Sequence, residues 1–392
     1  MIFKMTPEDL RSKFCEATAT EIFQQPVTWA KTLDQLLPIL SELRSWVGQL
    51  TSQPDFDVIF TGAGTSEYVG NALFVSLNPK LGFHARSFGS TALVAAPQYY
   101  LSEDKPTLLV SFARSGNSPE SIGAIAAADA YCKNIRHLCI TCNKDGALAK
   151  ITEGRDNCRS IVLDDATNDR SFAMTSSFTN MYLAALCILT DDSPEEIRKS
   201  MGSIIGGASA FLDQGFEAAL RLVSDFDFER IVYLGAGPLN GFAQESALKM
   251  LELTAGNVVA LFDSPMGFRH GPKSIVHDNT LTVVYLSDDP YARRYELDLL
   301  KEMSAQRKKN RLLLVSAQED SEATALCNET ICFKNSDALP TSYLGLQYVL
   351  TAQCIALFKS LSYGIGPDNP CPTGEVNRVV KGVTIYPVER NK

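Results

Sequence analysis

Thr107–Ser121 reads TLLVSFARSGNSPES, and this stretch sets the fold. Thr107 to Phe112 is an apolar run rich in strand-forming residues, which predicts a buried strand. The run breaks at Ala113-Arg114-Ser115-Gly116-Asn117-Ser118, and Pro119-Glu120 follow. Proline fits the first turn of a helix because it has no N–H to leave unpaired, and Ser118 before it is a good N-cap. A strand of a parallel sheet therefore ends in a loop of small hydroxyls and a helix N-terminus. Free backbone N–H groups and the positive end of the helix dipole meet there, an arrangement that suits a phosphate monoester. The same letters also describe an ordinary serine-rich βα turn, so this stretch alone leaves both readings open.

The surrounding chain repeats the pattern. From Asp57, Val58-Ile59-Phe60 leads into Gly62-Ala63-Gly64-Thr65-Ser66-Glu67 and an apolar helix ended by Asn78-Pro79. Further strands are expected near 83–88, 135–141 and 160–163, with helical stretches between them. Such alternation implies an α/β fold with a parallel sheet flanked by helices. The motif then recurs: Ile231–Gly237 (IVYLGAG) matches Val58–Gly64 (VIFTGAG). Thr280 stands as far beyond Thr107 as Gly235 stands beyond Gly62, and Leu312–Val315 corresponds to the strand around Leu138–Thr141. A shared offset at three landmarks predicts two copies of one flavodoxin-like, three-layer domain. The expected division is an N-terminal helical segment at 1–45, a first domain at 46–192 and a second at 193–392. The first segment shows Ile22, Leu33, Leu36, Leu37, Ile39 and Leu40 at helical spacing, with Pro26 and Pro38 as interruptions. Asp191-Asp192-Ser193-Pro194 is a polar break before a helix expected over 195–223.

The copies are unequal. Where the first has Ala113 to Ser118, the second has Leu286-Ser287-Asp288-Asp289-Pro290-Tyr291. Two aspartates would repel phosphate, so only the first copy is expected to hold one. The glycine turns resemble a dinucleotide fingerprint, but the first lacks the third glycine. No convincing acid for a ribose follows either: His84 to Phe88 has none, and Asp263 sits in a Ser-Pro loop. Tight turns are the better reading, and no cofactor is expected. Thr65 and Ser66 add two hydroxyls at a helix start on the same sheet edge as Ser115 and Ser118, making a candidate phosphate cradle.

At 392 residues the chain can build two well-developed cores, and its 45% hydrophobic and 21% charged content excludes a disordered protein. A net charge of -9 argues against non-specific nucleic-acid binding but not against a small phosphorylated ligand. Met1 to Glu16 mixes charges and does not read as a signal peptide, and no apolar run is expected to approach the ~20 residues needed to span a bilayer. Ten cysteines are scattered, and Cys139-x-x-Cys142 lacks the second pair that a zinc site needs. Reduced, buried thiols in a cytoplasmic protein are expected, with no metal.

Asn240 to Leu253 (NGFAQESALKMLEL) predicts a helix opened by Asn240 or Gly241. Glu245, Lys249 and Glu252 fall within roughly 60° of arc on one face. Read blandly, this is a solvated stripe with a Glu245–Lys249 salt bridge worth about 0.3–0.5 kcal/mol. The next loop, Phe268-Arg269-His270-Gly271-Pro272, sets a histidine between residues of special backbone on a loop leaving the same edge. A glutamate, a lysine and a histidine around a sugar-phosphate pocket suffice for proton transfer next to a carbonyl.

GAGTSE, the serine loop with Ala113 at its leading position, ALKMLEL and RHGP, in this order, resemble the tandem sugar isomerase (SIS) domains found in glucosamine-6-phosphate synthase. The resemblance covers about residues 45–392. It is nearest to the AgaS group, galactosamine-6-phosphate deaminase/isomerases, also labelled tagatose-6-phosphate ketose/aldose isomerases, whose leading helix EIFQQPVTW also resembles. The resemblance implies that Thr65, Ser66, Ser115 and Ser118 hold the phosphate and that Glu252 shuttles a proton between C1 and C2. It further implies that His270 opens the sugar ring, that Lys249 lies beside the glutamate and that Lys381 is a pocket lysine. In the family the histidine loop reaches into the neighbouring subunit's site, which implies at least a dimer. Two departures stand out. Ala113-Arg114 replaces Ser-Gln of the synthase, and Arg114 could supply a guanidinium to the phosphate instead. No glutaminase half precedes the first copy, so glutamine is not the expected ammonia source. A non-catalytic sugar-phosphate sensor is the competing class. It would need neither Glu252 nor His270, and the first 50 residues lack a basic balance or a clear helix-turn-helix.

Overall fold

The computed structural model describes residues 1–378, 380 and 382–388. The first sheet consists of β1 (Asp57–Gly62), β2 (Ala85–Gly89), β3 (Thr107–Ala113), β4 (Ile135–Thr141) and β5 (Cys158–Val162), all parallel, in the order β2-β1-β3-β4-β5. The second consists of β6 (Arg230–Gly235), β7 (Val259–Asp263), β8 (Thr280–Tyr285), β9 (Arg311–Ser316) and β10 (Glu329–Cys332), parallel, in the order β10-β9-β8-β6-β7. Read from the opposite edge this is the same order, the flavodoxin type. The repeat extends to register: Val58 pairs with Leu108 and Ile231 with Leu281. β1, β3 and β8 are buried along their whole length, because helices cover both faces of a parallel sheet and the strands read as continuous apolar runs.

The chain forms two compact units. The first-sheet unit comprises Val27–Asp169, Ser176–Pro194 and the segment from Gly374 onward. The expected N-terminal helices are present: Pro26 sits in the first turn of Gln25–Leu36, and Pro38 falls in a 3₁₀ turn, Leu37–Ile39, before the helix Leu40–Thr51. Trp46 of that last helix lies under two guanidinium groups, Arg136 and Arg159, each 5.2 Å from its ring. The helix Ser176–Leu189 is buried throughout, and Asp169 caps it by accepting from the Ser176 and Ser177 amides at 3.2 and 2.9 Å.

The second-sheet unit comprises Met1–Pro26, Arg170–Thr175 and Glu195–Thr373. The helix expected over 195–223 runs from Pro194–Ala210 through a π-helical turn, Phe211–Gly215, into Phe216–Asp225. The helix Thr341–Ser362 corrects one expectation. It has 22 residues and is apolar enough to cross a membrane by length and composition, but 94% of its most apolar window is buried inside the protein. Internal polar residues masked it in the sequence, and here several of them find partners inside the unit. Gln347 Nε2 donates to the Ile204 carbonyl at 3.0 Å, Gln353 accepts from Gln25 at 2.6 Å, and the Tyr348 hydroxyl donates to the Leu286 carbonyl at 2.9 Å. It is the core helix of its unit. All ten cysteines are free, and burial pushes the Cys139 and Cys142 thiols up to about 12.

Candidate active site

In the first sheet the strand order reverses between β1 and β3, and in open parallel sheets ligands bind in the crevice at such a switch point. The glycine turn after β1 and the serine loop after β3 both leave the sheet there. After β1, Gly64 takes φ 58° as the N-cap of the helix Thr65–Leu77, and a Cβ on Gly62 would lie 2.4 Å from the Ser66 backbone. After β6, Gly237 takes φ 53° and a Cβ on Gly235 would meet the Leu239 carbonyl at 2.4 Å. Both glycine pairs are thus required by the turn and by the close helix that follows, with no nucleotide needed to explain them. Thr65 and Ser66 open their helix and are 4% and 5% exposed.

The loop after β3 has a fixed shape. Ser118 caps the helix Pro119–Tyr131: its Oγ accepts from the Ser121 amide at 3.3 Å and lies 2.6 Å from Ser121 Oγ. Ser115 Oγ accepts from the Asn117 amide at 3.3 Å, and the Ser115 carbonyl accepts from Asn143 Nδ2 at 2.8 Å. Asn117 Oδ1 accepts from the Ala147 amide at 3.0 Å, and Gly116 supplies the left-handed φ of 65° at the bend. Ser115 and Ser118 are half-buried. Arg114 is buried, and one arm of its guanidinium donates to the Arg378 carbonyl at 2.9 Å.

The second copy fills the equivalent loop with its own acids. Asp289 Oδ1 accepts from the Tyr291 and Ala292 amides at 2.9 and 2.7 Å, occupying the N-terminus of the helix Pro290–Gln306. The buried Glu296 accepts from both the amide and the hydroxyl of Ser287 at 3.0 Å. Burial raises the Glu296 carboxyl from 4.5 to about 7.

In the second-sheet unit the acid–base helix runs Pro238–Leu253, with Gly237 as N-cap and Pro238 in the first turn. It therefore starts earlier than Asn240, because proline at the first helical position needs no amide partner. Glu245 and Lys249 are wholly buried, which removes the solvated-stripe reading: the spacing was right and the environment was not. Lys249 Nζ lies 3.1 Å from Glu245 Oε1 and 2.5 Å from Glu252 Oε2. Burial alone would push the Lys249 ammonium down, but the two carboxylates outweigh it and hold its pKa above the ordinary value. The helix packs closely on Thr341–Ser362, where Gly345 admits the Phe242 ring; a Cβ there would stand 2.1 Å from it. The Glu252 side chain remains 24% exposed. A buried acid thus holds a buried ammonium, which holds a partly open carboxylate able to accept a proton. Glu245 and Lys249 are the members that spacing alone assigned to the surface; the apolar neighbours Ala247, Leu248, Met250 and Leu251 were the available signal.

His270 follows β7 and a short helix, Pro265–Phe268, capped by Ser264 at 3.0 Å to the Gly267 amide. Gly271 has φ 122°, and Arg269 Nε anchors the loop through Glu302 at 2.9 Å, which Lys273 also contacts. The His270 side chain is exposed. Lys381 lies outside the described residues. Among the described residues no cluster of histidine, cysteine and acid is arranged to hold a metal.

No family model matches the chain. It is 41% identical over 373 residues to the D-galactosamine-6-phosphate deaminase AgaS of Shewanella sp. (strain ANA-3), covering 94% of this chain and 92% of that one. A solved structure from Clostridium novyi NT superposes with a TM-score of 0.96 at 42% identity, covering 98% and 99% of the two chains. The tagatose-6-phosphate ketose/aldose isomerase structure from Escherichia coli does so with a TM-score of 0.87 at 37% identity, covering 95% and 97%. The chain accordingly belongs to the AgaS family of galactosamine-6-phosphate deaminases.

Proposed function

We propose that this enzyme converts galactosamine 6-phosphate to tagatose 6-phosphate and ammonia. Family membership supplies the substrate class, and the observation that carries the chemistry is the Glu245–Lys249–Glu252 chain ending in a partly open carboxylate. Thr65, Ser66, Ser115 and Ser118 would hold the phosphate, and Arg114 could add its guanidinium. His270 would assist ring opening to the aldehyde. Glu252 would then remove the C2 proton, giving an enolamine, and return it to C1, giving a C2 ketimine. Water adds to the ketimine carbon and ammonia leaves, so the ketose phosphate forms with no change in overall oxidation state. Lys249 would orient Glu252, and Lys381 would face the same substrate.

The isomerase reading has its own support in the name of the Escherichia coli structure. With a hydroxyl at C2, the same proton shuttle interconverts tagatose and galactose 6-phosphates without ammonia. Ammonium release from galactosamine 6-phosphate, measured beside that interconversion, separates the two. Brisk interconversion with no ammonium would overturn the deaminase. An exposed His270 on an anchored loop supports a homodimer or higher oligomer whose subunits complete each other's sites. A cytoplasmic location fits the free thiols and the phosphorylated substrate.

A further inference from the structure

The first-sheet unit contains a cavity of about 560 Å³ between the helix Ser90–Ala95, the helix Pro119–Tyr131 and the chain segment 383–388. None of Thr65, Ser66, Ser115 and Ser118 lines it. Val94, Pro97 and Ile385 give it apolar walls, and Thr91 and Gln98 give it polar points. The walls are held close by Gly123, where a Cβ would stand 2.9 Å from Val94 and 3.0 Å from Ile385.

Glu120 lines this cavity. The residue is 8% exposed, and its Oε2 is buried with no hydrogen-bond partner. A buried carboxylate oxygen without a donor costs free energy, and a donor on a ligand would relieve that cost. Among the described residues that line the cavity none is basic. A phosphate or carboxylate ligand would therefore meet a like charge, whereas a protonated amine would meet an opposite one. The apolar walls accept the carbon face of a small ring, and Thr91 and Gln98 can bond its hydroxyls. We propose that this cavity binds a small hydroxylated amine, of the class of an unphosphorylated hexosamine, with Glu120 as its anchor.

Calorimetric titration of the full chain with D-galactosamine, beside uncharged D-galactose, tests this. Galactosamine should bind, and galactose about tenfold more weakly or not at all. Glu120→Gln should weaken galactosamine binding about tenfold, while Ser115→Ala leaves it unchanged. Val94→Trp fills the cavity without touching the carboxylate and should abolish binding, which keeps the test valid if the Glu120 variant fails to fold. Equal affinity for the two sugars, no binding of galactosamine, or binding that survives Glu120→Gln and vanishes in Ser115→Ala would overturn the proposal.

Discussion

At the scale of single residues, burial decides what each acid does. Glu252 is the only member of its chain of charges with a substantial open surface. Replacing it by glutamine keeps size and hydrogen bonding but removes basicity, so turnover should fall by about 10²–10⁴-fold with substrate binding retained. Near-normal turnover would return the helix to a purely structural role. Glu296 makes the opposite case, a carboxyl whose burial raises it from 4.5 to about 7. The folded protein then keeps this proton at pH values where the unfolded chain has released it. Stability from this group is therefore full below pH 4.5 and declines as the pH rises to about 7. The loss is on the order of 3 kcal/mol. Urea unfolding of Glu296→Gln beside the parent chain should show a difference that shifts in favour of the variant across that interval. A difference independent of pH would mean that Glu296 does not titrate there.

At the scale of elements, one serine loop serves two purposes that substitution can separate. Ser118→Ala removes both a proposed ligand and an N-cap, and should cost about 1 kcal/mol of stability along with substrate affinity. Ser115→Ala should weaken substrate binding while leaving the melting temperature nearly unchanged, since its side chain accepts only one long bond from Asn117. Equal losses of stability in both variants would contradict the division. These elements were legible in the sequence because their signals are local. Pro119 after Ser118, the glycine pairs and the β-branched runs located β1 and β6 and placed β3 to within a residue. The helix Thr341–Ser362 was not legible, because Gln347 and Gln353 interrupt its apolar run and only distant partners satisfy them. The start at Pro238 was missed for a simpler reason: Asn240 and Gly241 offered a competing helix-opening signal inside the helix. Glu245 was found by spacing, but its burial depends on a helix roughly a hundred residues further on, and no local pattern could report that.

At the scale of the whole molecule, the proposed sharing of sites makes a sharp prediction. Glu252→Gln and His270→Ala should each be nearly inactive alone. If the histidine comes from the neighbouring subunit, mixed dimers of the two carry one site with both native groups. Random reassociation of equal amounts should then restore about one quarter of the parent activity. No recovery, with mixed dimers demonstrated by mass, would place both groups in one subunit.

The composition of the two units has a consequence for how the protein is made. The second-sheet unit takes in Met1–Pro26, which precede the whole first sheet in the chain, and the first-sheet unit takes in the segment from Gly374, which follows the whole second sheet. Neither repeat can therefore finish folding as an early, self-contained product of translation. The strands of the first sheet are made long before the residues that complete its unit, which follow the whole of the second-sheet unit in the chain. A premature stop anywhere between residues 200 and 373 would leave both units incomplete.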